Sequence, residues 1–352
     1  MLVLNKFLLL HTSSRTRAYS TLGLLHSGFF QQVEKQIMKR LKSRLSGQEI
    51  ANILWAFATL NAQPDPAMID ALSSHIYKLC SDEKTGKPTE SSISRLFKRQ
   101  EIANVAWSCA VLGRYPKDLM NTLYQGMFGT NNDPQYMKNV FSDAGMQKSS
   151  VMTMYYVQYA ADVEAPKLRL SLPKGFPNGW GVDGLGLSND DNEGDLAQTS
   201  SSMLQLTISK LQRDVSESMT KIGFDNVLEY VIDAPTNQDL DDIATLPENE
   251  EFLSIDIANV EQRLGVEVDG PGHFVRLIDA SDATYPRDSV LQWSADRGEN
   301  RVNGPTLLKH RLLTALGWDI IHIPYWEYQN LPNDEDKDAY CRNLLDNYSS
   351  GR

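Results

Sequence analysis

The pentapeptide Gln48-Glu49-Ile50-Ala51-Asn52 returns 52 residues later as Gln100-Glu101-Ile102-Ala103-Asn104. Ala56-Phe57-Ala58-Thr59-Leu60-Asn61 echoes Ala18-Tyr19-Ser20-Thr21-Leu22-Gly23, 38 residues before it. Self-similarity at this spacing is the mark of stacked supersecondary units, none of which can bury its apolar face alone. The longer interval contains Ser81-Asp82-Glu83-Lys84-Thr85-Gly86-Lys87-Pro88, whose polar, turn-forming residues read as a loop insertion. Each unit reads as two helices. Ile50, Ile53, Leu54 and Phe57 follow i, i+3, i+4, i+7, and Ser46 with Glu49 has capping-box spacing. Asp65-Pro66 opens the second helix, whose inner face is Met68, Leu72, Ile76 and Leu79. The third copy carries Ile102, Val105, Ala106, Cys109 and Leu112, with Lys98 where Ser46 stood.

Composition narrows the class. At 352 residues the chain exceeds one typical domain, and no stretch reaches the ~20 consecutive apolar residues of a membrane span. Cys80, Cys109 and Cys341 lack paired or metal-ligand spacing and read as reduced, small hydrophobes. The net charge of −11 is unevenly placed. Residues 1–128 hold 16 Lys/Arg against 9 Asp/Glu, whereas 129–352 hold 18 against 36. A basic first half retains local affinity for phosphate.

With Gln-Glu-Ile-Ala-Asn-x-x-Trp and Ala-x-Leu-Gly/Asn, these units resemble the octotricopeptide and FAST-type repeats of organellar RNA-binding proteins, a resemblance that implies contacts with single-stranded RNA. Asn52 and Asn104, with Trp55 and Trp107, recur off the main apolar stripe, where amides pair and indoles stack with bases. Lys39, Arg40, Lys42 and Arg44 add positive charge. The opposing view has the tryptophans packing between units and the asparagines bracing turns. Residues 1–30 carry Lys6, Arg15 and Arg17 and no acid, which suits a transit peptide cut near Arg17.

Further along, residues 129–202 read as a helical bridge near 151–161 followed by an acidic, glycine-rich linker. A helical pattern runs from Met203 to Met219. Strand-like runs follow at Val227–Ile232, Phe252–Ile257 and Leu264–Val268, then a helix over 305–316 and a strand at Ile320–Ile323. Asn333-Asp334-Glu335-Asp336 precedes a final helix, Tyr340–Leu345, expected to pack as a lid. Trp318, Tyr325, Trp326 and Tyr328 read as an aromatic cluster in the core.

Three stretches carry the chemistry: Val266-Glu267-Val268-Asp269-Gly270-Pro271-Gly272-His273-Phe274, Asn303–Leu313 and Gly317–Glu327. Their order resembles the RAP domain of organellar RNA-metabolism proteins, and the α-β-β-β-α-β sequence resembles restriction-endonuclease-like cores. The resemblance implies an α-helical repeat region followed by an α/β restriction-endonuclease-like RAP domain, a mixed α and α/β chain. The expected layout is a transit peptide over 1–17, two to three repeats over 18–128, the bridge and linker over 129–202, the RAP domain over 203–330 and a tail over 331–352.

In an active nuclease of this kind, carboxylates on adjacent strands bind Mg²⁺. The resemblance assigns that place to Asp256, Glu267 and Asp269, with His273 as proton relay and Lys309 as a charge neutraliser. Asp269 stands where the usual catalytic lysine would be, and the segment between Phe274 and Asn303 is longer than the module requires. His310 and His322 read as surface or packing residues. The leading expectation is an organellar RNA-binding protein in RNA processing, stability or translation, without a resident cofactor. Its partners would be single-stranded organellar RNA and ribonucleoprotein or ribosome-associated proteins, in the mitochondrial matrix ahead of the plastid stroma. The alternatives are a Mg²⁺-dependent PD-(D/E)xK endonuclease and a protein scaffold within a ribonucleoprotein granule.

Overall fold

The computed structural model describes residues 13–41, 45–129, 148–172, 209–232, 253–278 and 300–350. In chain order the elements are α1 (13–21), β1 (Leu24–Leu25), α2 (Ser27–Arg40), α3 (Gly47–Thr59), α4 (Pro66–Cys80), α5 (Glu90–Leu96), α6 (Arg99–Val111), α7 (Lys117–Phe128) and α8 (Lys148–Glu164). Next come α9 (Lys210–Lys221), β2 (Val227–Val231), β3 (Ser254–Asn259), β4 (Leu264–Asp269), β5 (Phe274–Leu277), β6 (Asn300–Val302) and α10 (Gly304–Ala315). The chain closes with β7 (Asp319–Pro324), α11 (Tyr325–Gln329) and α12 (Asp334–Ser350). The fold class is mixed α and α/β, as the sequence implies.

Contacts divide the chain into two units, one of 1–188, 239–247 and 274–308, the other of 189–238, 248–273 and 309–352. In the first unit, helices form two layers. Helix α3 packs on α6 and α6 on α8, while α2 packs on α4 and α4 on α7. The sequence sets the boundaries of these helices. Ser46 accepts from the Glu49 N–H while Glu49 accepts from the Ser46 N–H, the capping box expected from their spacing. Asp65 accepts from the Ala67 N–H with Pro66 at the first turn. At α6 only half the box survives: Glu101 accepts from the Lys98 N–H, and Lys98 has nothing to give back. The core between the layers holds Ile50, Ile53, Leu54, Phe57, Leu72, Ile76, Ile102, Val105 and Ala106, all at most 2 % exposed.

This unit also contains a small sheet with no counterpart among the expected strands. Strand β1 pairs parallel to β5, and β5 pairs antiparallel to β6. Residues 274–278 and 300–308 therefore cluster with the helices, although their flanking residues belong to the second unit. Two features of the α3–α4 turn and its surroundings fix them. Asn61, in a left-handed conformation (φ 50°), donates its side-chain amide to the Val302 carbonyl at 3.2 Å. A Cβ on Gly304 would stand 1.8 Å from the Ala58 carbonyl oxygen and 2.6 Å from Val111 Cγ1, so only glycine admits this approach.

The second unit is a four-stranded sheet in the order β2-β3-β4-β7, antiparallel except for the parallel β4–β7 pair. One face of β4 presents Leu264, Val266 and Val268. These pack with Ile257, Ile323, Val215 and Met219 of α9, Phe224, Tyr328 and Cys341 of α12. Alternation then directs Glu267 and Asp269 to the other face. Helix α12 begins earlier than Tyr340: Asn333 accepts from the Asp336 N–H, and Asp334, Glu335 and Asp336 form its first turn, where carboxylates favour the helix dipole. The expected aromatic cluster separates into parts. Trp318 lies against Tyr230 with ring centroids 5.4 Å apart, Tyr325 meets Trp326 edge-on, and Tyr328 is buried and hydrogen-bonded to Ser218 and the Asp214 carbonyl.

The strands expected at the end of the chain and the helix over 305–316 form with ends displaced by one to two residues, whereas the final helix, expected over Tyr340–Leu345, spans Asp334–Ser350. The stretches 203–208, 173–201 and 1–12, which carry the linker and most of the leader, lie outside the described residues. Cys80, Cys109 and Cys341 are free and buried. No helix among the described residues is long and apolar enough to cross a membrane.

Candidate functional site

Two strand registers bring acids together on the second unit's sheet. The β2–β3 pairs Leu228↔Ile257 and Tyr230↔Ile255 flank Glu229 and Asp256, and one step beyond Ile257↔Val266 stand Asp256 and Glu267. Glu267 in turn pairs with His322 on β7. Four neighbouring strands thus carry Glu229, Asp256, Glu267 and His322 at successive positions. The ladder is interrupted at Glu229, whose φ of 50° is uncommon for a residue with a side chain.

Lys309 of α10 projects into this group. Its ammonium lies 2.6 Å from Glu267 Oε2 and 3.8 Å from Asp256 Oδ1. Asp256 Oδ2 accepts from the Val268 N–H at 2.8 Å, tying the carboxylate to the next strand. Glu229 accepts from Gln212 at 2.7 Å. Glu267 is 2 % exposed. Burial, followed by repulsion from Asp256, pushes its carboxyl up to about 8 despite the lysine. Burial alone would lower Lys309, but attraction to Glu267, Asp256 and Glu229 wins and raises it. Burial also raises Glu229. One ammonium cannot neutralise three carboxylates, so a proton remains on the group near neutral pH.

Asp269, fully buried, organises a second cluster. Its Oδ2 is hydrogen-bonded to His322 Nδ1 at 2.8 Å, and His322 Nε2 to His310 Nδ1 at 3.0 Å. His273 Nδ1 stands 3.0 Å from Asp269 Oδ1, though off the line of a good hydrogen bond. Burial works to raise Asp269, yet its attraction to His273 and His322 outweighs this and holds the carboxyl down at about 2. Burial, then proximity to His322, lowers His310 to about 4.

All five residues assigned by the resemblance therefore converge, in two linked groups: Asp256, Glu267 and Lys309 in one, Asp269 and His273 in the other. His310 and His322, expected as surface or packing residues, are both drawn into the Asp269 cluster. The pattern held a signal for His322, a lone polar residue in the run Ile320-Ile321-His322-Ile323. Glu229 was missed altogether; its only mark is a charge inside the strand Val227–Val231.

Whether the group fits Mg²⁺ depends on which oxygens are open to it. Lys309 occupies the space between Asp256 and Glu267, a backbone N–H takes the other Asp256 oxygen, and both Asp269 oxygens face histidines. Among the described residues no group of three or more His, Cys, Asp or Glu is arranged to hold a metal ion. As arranged, the donors do not fit one. They have the chemistry of an internally paired charge cluster.

The candidate RNA contacts lie in the first unit. Asn52 accepts from Arg17 at 3.2 Å and donates to Ser13 at 3.2 Å, and the Arg17 guanidinium lies 5.9 Å from the Trp55 ring centre. In the next unit Asn104 and Trp107 occupy the same half-buried positions, with no side-chain partner among the described residues. On α8, Thr153 and Tyr156 repeat the half-buried, three-apart rhythm. Lys39 is exposed, Arg40 lies 3.6 Å from Glu49, and Lys42 and Arg44 are outside the described residues.

Residues 266–344 match the family model of the RAP domain, spanning both clusters except for Asp256 and Glu229. The chain carries a RAP domain. The RAP-bearing chain is 24 % identical over 319 residues to a protein of Oryza sativa subsp. japonica described as "RAP domain-containing protein, chloroplastic". That alignment covers 85 % of this chain and 40 % of the rice protein, so the chain spans two fifths of its relative's length.

Proposed function

We propose that this chain is an organellar RNA-binding factor in which the first helix of each repeat contacts single-stranded RNA. The observation that carries this is the recurrence of an amide and an indole, Asn52 with Trp55 and Asn104 with Trp107, at matching half-buried positions on the packed helices α3 and α6. Asn104 and Trp107 are the better placed pair, because Asn52 and Trp55 are engaged by Arg17. The RAP domain and the chloroplastic relative support an organelle, and a plastid suits that relative at least as well as the expected mitochondrion. The octotricopeptide or FAST-type assignment of the repeats, the domain limits drawn from the sequence and ribonucleoprotein partners belong to the same proposal.

Trp107→Ala should weaken binding of labelled single-stranded RNA by about 1–3 kcal/mol, measured by fluorescence anisotropy, with Trp107→Tyr recovering most of it. Equal affinity of the alanine variant and its parent would remove the stacking role. Absence of RNA binding by the parent would remove the whole reading.

Phosphodiester cleavage is the second reading, favoured by Asp256 and Glu267 converging beneath Lys309. It requires the lysine to leave both carboxylates, so we rank it below RNA binding. It predicts divalent-dependent cleavage of RNA or DNA that disappears in Glu267→Ala and Asp269→Ala. A parent that cuts neither with Mg²⁺ present rules it out.

A further inference from the structure

Among the differences between the repeats is the start of the second helix. Helix α2 is capped by His26, whose Nδ1 accepts from the Phe29 N–H, and α4 by Asp65. At the 52-residue spacing of the repeated pentapeptide, Asp65 corresponds to Lys117. Helix α7 accordingly begins after Pro116 with no side-chain cap. A missing cap leaves first-turn N–H groups without a side-chain acceptor, and Lys117 opposes the dipole that Asp118, in the same turn, favours. The third unit thus sacrifices stability where the second does not.

The sacrifice coincides with a cleft. A space of about 520 Å³ is lined, among the described residues, by Lys117, Pro166, Lys167 and Arg169. Its far wall is the 3-10 turn Pro166–Leu168 that follows α8, ending in Arg169 at a left-handed φ of 52°. Two hydrogen bonds hold that wall in place. Gln158 donates to the Leu170 carbonyl at 3.0 Å, and the Tyr115 hydroxyl donates to Glu164 at 2.5 Å. The second engages the Glu164 carboxylate at the end of α8. Among the described residues none of the three cations has an ion-pair partner. Three exposed cations around one opening, against the single acid Asp118 beside Lys117, leave the cleft with an excess of positive charge that favours an anion.

We propose that this cleft binds a phosphodiester group of single-stranded RNA, held by Lys117, Lys167 and Arg169 and by the uncapped N–H groups of α7. The proposal rests on the RNA-binding reading and adds a backbone anchor to its base contacts. Cations that bind phosphate release counterions, and for single strands each contact contributes about 0.7 to the salt slope of log K. The test compares the full chain with a Lys117→Gln/Lys167→Gln/Arg169→Gln variant on a labelled single-stranded RNA over a salt series.

The slope should flatten by about 2 and affinity at low salt should fall roughly tenfold or more. Lys84→Gln, in the exposed 81–88 loop, should change neither. If the triple variant does not fold, each single change should still flatten the slope by about 0.7. Variants that bind with the parent's slope and affinity overturn the anchor and leave the RNA reading standing. A parent without RNA affinity overturns both. Saturation of the cleft by inorganic phosphate, with the RNA slope untouched by the substitutions, reassigns it to a free anion and also overturns the proposal.

Discussion

Lys309→Met should cost the second unit about 3–5 kcal/mol above pH 8, measured by urea denaturation of the full chain, because it strands buried carboxylates without a counter-charge. The cost should shrink at lower pH. Glu267, raised to about 8 even with the lysine in place, then carries a proton in both proteins, and a protonated carboxyl tolerates burial. A Lys309→Met/Glu267→Gln chain should recover much of the loss, since removing both partners of a buried pair leaves less charge uncompensated than removing one. A penalty that is the same at pH 5 and pH 9, or that the second substitution deepens, would show that Lys309 acts by packing alone.

The second large effect is the pH profile of the parent. Glu267 has a folded value above its ordinary 4.5, so the stability it contributes is complete below 4.5 and is lost as pH rises through about 8. His310 is depressed from 6.5 to about 4, so its contribution is present above 6.5 and is lost as pH falls through about 4. The two oppose each other between 4.5 and 6.5. Between 6.5 and 8 Glu267 acts alone, and one proton per molecule corresponds to about 1.4 kcal/mol per pH unit. Stability should therefore fall by roughly 2 kcal/mol from pH 6.5 to pH 8. Glu267→Gln should flatten this limb. Asp269, depressed from 3.8 to about 2, adds a loss only at the acid end, as pH falls below 3.8. A parent that gains stability from pH 6.5 to 8 would disprove the assignment.

Local patterns made much of the fold legible. Ser46 with Glu49 and Asp65 with Pro66 announced helix starts through residues a few positions apart, and the i, i+3, i+4 stripes named the buried faces. The Glu267-x-Asp269 spacing placed two acids on one side of a strand. What escaped depends on partners distant in sequence. Strand β1 is two residues long and finds its partner about 250 positions away, so no period exists to detect it. Glu229 enters the charge cluster only through the register with Asp256, and His322 through its pairing with Glu267. The reach of Lys309 was foreseen as charge neutralisation of a reaction; that it lies within salt-bridge distance of two acids is a matter of tertiary geometry.

The family match opens at Val266, inside β4. Strands β2 and β3 and helix α9, which supply Ile257, Val215 and Met219 to the core beneath β4, come before that point. A peptide trimmed to the recognised boundaries would keep Tyr328 and Cys341 against β4 and β7 but lose Ile257, Val215 and Met219, leaving that face half covered. The unit inherited by sequence and the unit able to stand in water are thus of different lengths, and grafting experiments should cut ahead of Ser209.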